Sequence, residues 1–140
     1  MSNQIIDPSV PRLVTLVSQK QKRGLLVAGE YPFQVPFEPK RFFLVTGVPR
    51  SERRGNHAHK QCEQFLVAMT GSLRVSLHSA GQQLDYVLDS PEIGLLIPKM
   101  TWGVQYDYSA DCNLLVLASH QFDPDDYIHE FSVFRELQGL

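Results

Sequence analysis

Short segments rich in β-branched and aromatic residues alternate with polar positions along most of the chain. They recur about every eight to twelve residues and are separated by Gly, Pro, Ser and Asp, which is typical of an all-β sandwich or barrel. Only Gly71 and Ser72 lie between two of these segments, a spacing that predicts a two-residue β-hairpin in which the glycine takes a positive φ. The predicted strands cover residues 12–19, 23–30, 41–48, 56–60, 64–70, 73–79, 83–89, 94–98, 103–108 and 113–120.

The C-terminal segment has a helical periodicity instead. Asp123 is suited to cap a helix, Pro124 to its first turn, and Asp125 and Asp126 to the positive end of its dipole. We therefore predict one helix over residues 123–137, packed against a sheet by one apolar face. The residues of that face are Tyr127, Ile128, Phe131, Phe134 and Leu137.

Length, charge and cysteine usage narrow the class of protein. The 140 residues predict one domain, residues 1–140, and a net charge of −2 offers no basic surface for nucleic acid. No signal-peptide pattern opens the chain and no apolar run approaches the roughly 18 residues that span a bilayer, so we expect no membrane partner and a cytoplasmic protein. Cys62 and Cys112 lack C-x-x-C spacing and are expected to be buried free thiols.

The stretch "RRGNHAHKQCEQ", residues 53–64, carries the strongest candidate chemistry. Residues two apart in a strand point to the same face, so His57 and His59 project together while Ala58 points away. Two imidazoles that titrate near neutral pH are suited to proton transfer. The competing interpretation is a solvated, slightly cationic edge strand.

This stretch resembles the first motif of the cupin superfamily. The resemblance lies in Gly55, His57, His59, Glu63 and Gly71, and it implies a cupin double-stranded β-helix, a jelly-roll sandwich of two antiparallel sheets. In metal-dependent cupins the equivalents of His57, His59 and Glu63 bind a metal, together with a further histidine from a second motif.

The second motif departs from that pattern. The segment "GLLIPKMTWGV" supplies Gly94 and Pro98, but Gly103 stands where the ligand histidine is expected. Three ligands with open positions still hold a non-haem metal in some sites. A metal-dependent cupin that uses the three first-motif ligands is therefore an alternative.

A more specific resemblance covers roughly residues 40–135. The strings "RRGNHAHKQCEQFLVAMTGSLRVSLH", "LDSPEIGLLIPKMTW", "YDYSADCNLLVLAS" and "DPDDYIHEF" resemble the sugar-nucleotide 3,4-ketoisomerases of the cupin superfamily. This resemblance implies an isomerase that interconverts the 4-keto and 3-keto forms of a thymidine diphosphate-linked 6-deoxyhexose, on the way to amino sugars of surface polysaccharides. It also implies catalysis without a metal or cofactor, and a homodimer that exchanges N-terminal strands.

The same resemblance implies roles for individual residues. His57 and His59 are the proton-transfer groups at carbons 3 and 4 of the sugar, and nothing in the sequence distinguishes their roles. Arg54 matches the family's arginine and is expected to bind the phosphates or the sugar, with Arg41 and Arg53 as second choices.

Further aromatic positions have open roles. Trp102 either stacks on the thymine or a sugar face, or belongs to the core. Tyr106 is expected to line the cavity on one face with Tyr108. Thr46 stands where the family often has tyrosine, which leaves room for a relay through Tyr106, or for a non-catalytic cupin that only binds sugar nucleotides. The remaining histidines are expected to be structural or exposed: His78, His120 and His129.

Overall fold

The computed structural model describes residues 4–140, which form an almost entirely β-stranded chain with one short α-helix. The elements are β1 (Arg12–Thr15), β2 (Val17–Gln21), β3 (Gly24–Ala28), β4 (Arg41–Thr46), β5 (Arg54–His59), β6 (Gln64–Thr70), β7 (Leu73–Ser79), β8 (Gln82–Leu88), β9 (Ile93–Ile97), β10 (Trp102–Tyr106), β11 (Asn113–Ala118), a 3₁₀ turn (Pro124–Asp126), β12 (Tyr127–Ile128) and α1 (Phe131–Leu137).

Two five-stranded antiparallel sheets form the body of the chain. The first sheet has the order β1, β9, β6, β11, β4, and the second has the order β12, β5, β10, β7, β8. Among β6 to β11, strands that follow one another in the sequence are not paired with each other, except for β7 and β8, which form a hairpin. The predicted jelly-roll sandwich with a short C-terminal helix is confirmed.

The inner faces of the two sheets pack together into the main core. Along β6, Leu66 and Ala68 point into this core, whereas Phe65 and Val67 point outward into a second apolar cluster. A third cluster lies on the outer face of the second sheet, where Phe134 of α1 covers it. The sheets are therefore apolar on both faces along much of their length, and a polar site inside the sandwich stands out from its surroundings.

The predicted hairpin at Gly71 and Ser72 is wrong, although both flanking strands have the predicted bounds. β6 belongs to the first sheet and β7 to the second, so this turn carries the chain from one sheet to the other. Gly71 has φ +69°, and a Cβ there would lie 2.7 Å from the Cα of Cys112, so the corner requires glycine. The two-residue hairpin comes one turn later, at Ala80 and Gly81, where both φ angles are positive.

The predicted helix over residues 123–137 is interrupted by a strand. Asp123 acts as a cap, as predicted, but of a 3₁₀ turn, in which its carboxylate accepts the amide hydrogen of Asp125 at 3.0 Å. Tyr127 and Ile128 then extend and pair with β5, and Ile128 is buried beneath α1. Sheet pairing and burial outweigh the local helix preference at these two residues.

The N-terminal strands differ from the prediction in one respect. The expected strand over residues 12–19 divides at Leu16, so that β1 joins the edge of the first sheet and β2 pairs with β3. The β2–β3 hairpin is bonded to neither large sheet and exposes Leu25 and Leu26. Within residues 4–140, no helix is long and apolar enough to cross a membrane.

Candidate active site

A bulge in β5 brings the histidine pair and one arginine to the same face of the second sheet. Gly55 and the residue after it have positive φ angles of 83° and 57°, and the register with β10 shifts at this point. His57 lies opposite Gly103, and Arg54 lies opposite Gln105. Because paired residues of antiparallel strands share a face and the two partners are two residues apart, Arg54 and His57 both point into the sandwich.

His57 and His59 share the inner face, as strand alternation predicts. Their ring centroids lie 4.9 Å apart, with the planes at 89°. The Nδ1 of His57 lies 3.0 Å from the carbonyl oxygen of Gly55, and the Nδ1 of His59 lies 3.2 Å from Oδ2 of Asp126. Because a carbonyl and a carboxylate only accept hydrogen bonds, each Nδ1 donates, and each Nε2 keeps its lone pair. The arrangement leaves two proton acceptors side by side.

Burial inside the sandwich favours the neutral form of both imidazoles. It lowers the pKa of His57 to about 4, and the positive charge of a protonated His59 acts in the same direction. Burial also lowers the pKa of His59, while the charge and hydrogen bond of Asp126 oppose part of that effect. Both rings are therefore uncharged and able to accept a proton near pH 7.

Two further rings, those of Tyr127 in β12 and of His129 just after it, lie near the histidine pair. Tyr127 pairs with His59, and its ring centroid lies 4.4 Å from that of His59 and 4.9 Å from that of His57. His129, which was expected to be structural or exposed, lies 6.2 Å from His57 and stacks on Tyr127 at 5.5 Å. The prediction of a continuous helix over residues 123–137 placed neither residue near the histidine pair. Their i, i+2 spacing is the signal by which an extended segment would have revealed them.

Two of the predicted arginines lie on the inner side of the sandwich. The guanidinium of Arg41 lies 5.2 Å from the ring centroid of Phe122. Burial is the main cause of the lowered pKa of His59, and the positive charge of Arg41 lowers that pKa further. Arg54 is exposed at the rim. Its charge opposes the effect of burial, which raises the pKa of Tyr108 to about 12. The inner side of the sandwich thus carries positive charge on β4 and on β5, the strand of the histidines.

Trp102 and Tyr106 lie on the opposite face of the sheet from the histidines. Trp102 is buried with Ala58 and Phe134 in the cluster beneath α1. Tyr106 packs against the same cluster, and the guanidinium of Arg53 lies 4.9 Å from its ring centroid. The structure does not bring these two aromatic residues to the histidine pair, since alternation along β10 directs both toward α1. For Trp102, the packing alternative applies.

The expected tyrosine face of β10 does not form. The strand ends at Tyr106, Asp107 has φ 53°, and Tyr108 turns into the main core, where its hydroxyl donates to Oε1 of Gln105 at 3.0 Å. Thr46 is exposed at the end of β4. The phenol beside the histidine pair is therefore that of Tyr127 and not of Tyr106.

Glu63 is not brought to the histidine pair. Gln64 points inward in its place, with its Nε2 3.5 Å from Nε2 of His59. Among the residues that the structure describes, the side chains gathered at metal-ligand spacing are His59, Cys62 and Asp126, whose ligand atoms lie within 4.8 Å of one another. The ligand triad expected for a metal-dependent cupin is therefore not assembled.

Comparison with known proteins places the chain among sugar-nucleotide 3,4-ketoisomerases. The family model described as WxcM-like, C-terminal (FdtA) matches residues 9–139. The chain is 40% identical over 114 residues to the TDP-4-oxo-6-deoxy-alpha-D-glucose-3,4-oxoisomerase of Aneurinibacillus thermoaerophilus, a match that covers 81% of this chain and 82% of that protein.

Two solved structures have the same fold and clear sequence identity. A 3,4-ketoisomerase from Helicobacter canadensis has a TM-score of 0.88 and 32% identity, covering 92% of this chain and 97% of its own. A mutant of the 3,4-ketoisomerase QdtA from Thermoanaerobacterium thermosaccharolyticum, in complex with TDP-4-keto-6-deoxyglucose, has a TM-score of 0.88 and 30% identity, covering 91% of this chain and 93% of its own.

Proposed function

Since the chain belongs to the WxcM-like, C-terminal (FdtA) family, we propose that it interconverts the 4-keto and 3-keto forms of a thymidine diphosphate-linked 6-deoxyhexose. It is a sugar-nucleotide 3,4-ketoisomerase with the cupin fold. The observation that carries the chemistry is the pair of imidazoles whose ring centroids lie 4.9 Å apart, each with its Nδ1 engaged as a donor and its Nε2 left as an acceptor.

The reaction moves one proton between adjacent carbons and one between adjacent oxygens. One imidazole of the His57 and His59 pair removes the proton from carbon 3, the electron pair forms a double bond to carbon 4, and the carbonyl at carbon 4 becomes a hydroxyl. Tyr127 supplies the proton at the carbon 4 oxygen and takes up the hydroxyl proton at carbon 3. Carbon 4 receives its proton from the other imidazole, whose Nε2 has first taken up a proton from solvent, and the first imidazole returns the carbon 3 proton to solvent, so that both rings end in the neutral form. Fixing both groups on one strand lowers the barrier by orientation, on the order of several kcal/mol.

Tyr127 supports the transfer between the oxygens. Its ring centroid lies within 4.9 Å of both imidazole centroids. A phenol both donates and accepts a hydrogen bond, so it suits a relay between the two hydroxyl oxygens. In this assignment Tyr127 takes the place of the tyrosine that Thr46 replaces.

Positive charge on β4 and β5 complements the negative charge of the substrate. The diphosphate and the developing enediolate are both negative, and guanidinium groups bind such oxygens through charge-assisted hydrogen bonds. We assign the exposed Arg54 to the diphosphate and Arg41, which is partly buried near His59, to the reacting end. No step in this chemistry requires a metal or a cofactor.

The functional unit that we propose is a homodimer. The β2–β3 hairpin exposes Leu25 and Leu26, and the outer face of the first sheet exposes Phe42, Leu44 and Met69. A second copy that exchanges N-terminal strands about a two-fold axis covers both apolar regions. Both cysteines are free, which fits a reducing cytoplasm.

Asparagine substitution of each histidine tests the acid/base assignment. His57→Asn and His59→Asn keep hydrogen-bonding capacity but remove the titrating group, so turnover should fall by at least roughly 100-fold while nucleotide binding changes little. His78→Asn is the matched control, since His78 lies under Phe131 on the outer face of the same sheet and should leave turnover near that of the wild type.

Isotope exchange and metal dependence separate the alternatives. In heavy water the wild type should place deuterium at carbon 3 of the recovered 4-keto sugar and at carbon 4 of the 3-keto product. Near wild-type turnover in both asparagine variants would contradict the assignment, and so would activity that chelators abolish and added metal restores. Binding of the keto-sugar nucleotide without any turnover would instead favour a non-catalytic cupin.

A further inference from the structure

Asp126 is a mostly buried carboxylate that accepts hydrogen bonds from the short stretch of residues 59–62. Its side chain is 12% exposed. Oδ1 accepts the amide hydrogen of Gln61 at 2.8 Å, and Oδ2 accepts that of Cys62 at 3.2 Å. Oδ2 also lies 3.2 Å from Nδ1 of His59. The two backbone amides are obligate donors, so they fix the carboxylate as an acceptor and fix its orientation toward the imidazole.

The main chain of Asp126 is also bonded to the segment that carries His59. The amide of Lys60 donates to the carbonyl oxygen of Asp126 at 2.9 Å, and the next residue, Tyr127, pairs with His59 in the sheet. Both the side chain and the main chain of Asp126 are therefore held against the end of β5. A side chain held in this way does not need to reorganise when the neighbouring imidazole gains a proton.

We propose that Asp126 is a positioning residue of the isomerase, which holds His59 in the Nδ1–H tautomer with Nε2 toward the substrate and stabilises the imidazolium that forms when Nε2 takes a proton. This role rests on the proposed function of the histidine pair. It follows the general logic by which a buried carboxylate orients a catalytic histidine and favours its charged form.

The contact with Asp126 distinguishes His59 from His57, although the two histidines look equivalent in the sequence. The Nδ1 of His57 donates to the carbonyl of Gly55, which fixes the same tautomer but carries no formal charge. Asp126 therefore stabilises the protonated form of His59 more than the Gly55 carbonyl stabilises that of His57. The other charged or titratable groups that influence His59 are Arg41 and His129, and both disfavour its protonation.

Asp126→Asn tests this role with almost no change in size. The amide oxygen of the variant would still accept the backbone hydrogen of Gln61. Its NH₂ group would then donate to Nδ1 of His59 and so favour the Nε2–H tautomer, which cannot accept a proton from the substrate. We expect kcat to fall by roughly 100- to 10,000-fold with a small change in KM. Asp125→Asn is the matched control, because Asp125 is the preceding residue in the same turn with an exposed side chain, and its turnover should stay within about twofold of the wild type.

Nitrogen-15 NMR of the histidine side chains gives a readout that a merely structural role would not move. The wild type should show His59 as the Nδ1–H tautomer, titrating at a higher pH than His57, and Asp126→Asn should show the Nε2–H tautomer with a lower pKa for His59. A folded Asp126→Asn protein with kcat within about threefold of the wild type would overturn the proposal. An Nε2–H tautomer at His59 in the wild-type protein would also overturn it, even if the variant does not fold. The wild-type spectrum needs no substrate, so its outcome is independent of whether the chain turns over a keto-sugar nucleotide.

Discussion

Gly55 sets the bulge that directs His57 and Arg54 into the sandwich, and alanine at this position tests that geometry. The residue has φ +83°, and an added Cβ would lie 2.8 Å from the carbonyl oxygen of Gly103. The carbonyl of Gly55 also accepts the hydrogen on Nδ1 of His57 at 3.0 Å. A shift of the bulge therefore changes stability and moves the imidazole at the same time.

Gly47 provides a matched control for the backbone term. It has φ +68°, but no atom lies within 4 Å of an added Cβ. Holding alanine in the left-handed region costs about 1–2 kcal/mol, which we expect for Gly47→Ala. Gly55→Ala has the same cost plus displacement of the Gly103 backbone, an overpacking term of about 1–3 kcal/mol. Its free energy of unfolding should therefore fall by about 2–5 kcal/mol in total.

Urea unfolding measures the two free energies, and steady-state turnover measures the effect on the site. We expect Gly55→Ala to lose roughly tenfold or more in kcat, because small misplacements of a reacting group cost up to about 100-fold. Gly47→Ala should retain turnover close to that of the wild type. Equal stability losses in the two variants, or full turnover in folded Gly55→Ala, would refute the reasoning that the contact with Gly103 fixes the bulge.

Two further predictions concern pH and assembly. Because burial lowers the pKa of His57 from 6.5 to about 4, the unfolded chain binds a proton first as the pH falls, and the free energy of unfolding should decrease between pH 6.5 and about 4; urea titrations should show a smaller decrease for His57→Asn, and an equal decrease in both proteins would contradict the prediction. Combining Phe42→Glu with Leu44→Glu should convert the proposed dimer to monomers in sedimentation velocity, whereas Val87→Glu, at the edge of the other sheet, should not; a wild-type monomer at micromolar concentration, or a dimer that survives the double substitution, would show that this face is not the interface.

The placement of His57 and His59 on one face followed from the sequence because it depends only on local geometry. Side chains two residues apart in a strand point the same way whatever the strand pairs with, so the pattern His-Ala-His determined the outcome. The same local rule gave nearly every strand, including the bounds of β6 and β7. The capping role of Asp123, followed by a proline, likewise followed from the sequence, since both residues act within a few positions, although the element that they begin is a 3₁₀ turn and not the predicted helix.

Pairing between distant strands decided the rest of the site. The bulge at Gly55 places Arg54 beside His57, although strict alternation would put them on opposite faces. The turn at Gly71 joins two sheets instead of forming a hairpin, because a short glycine-containing turn specifies a reversal but not its partner.

The C-terminal segment shows the physical reason most clearly. Its periodicity favours a helix, yet Tyr127 and Ile128 form a strand, because pairing with β5 and burial of Ile128 stabilise the extended form. That choice brings Tyr127, His129 and Asp126 to the histidines from almost seventy residues away in the chain. Local propensity is a property of neighbouring residues, whereas this contact exists only once β12 has paired with β5 in the second sheet.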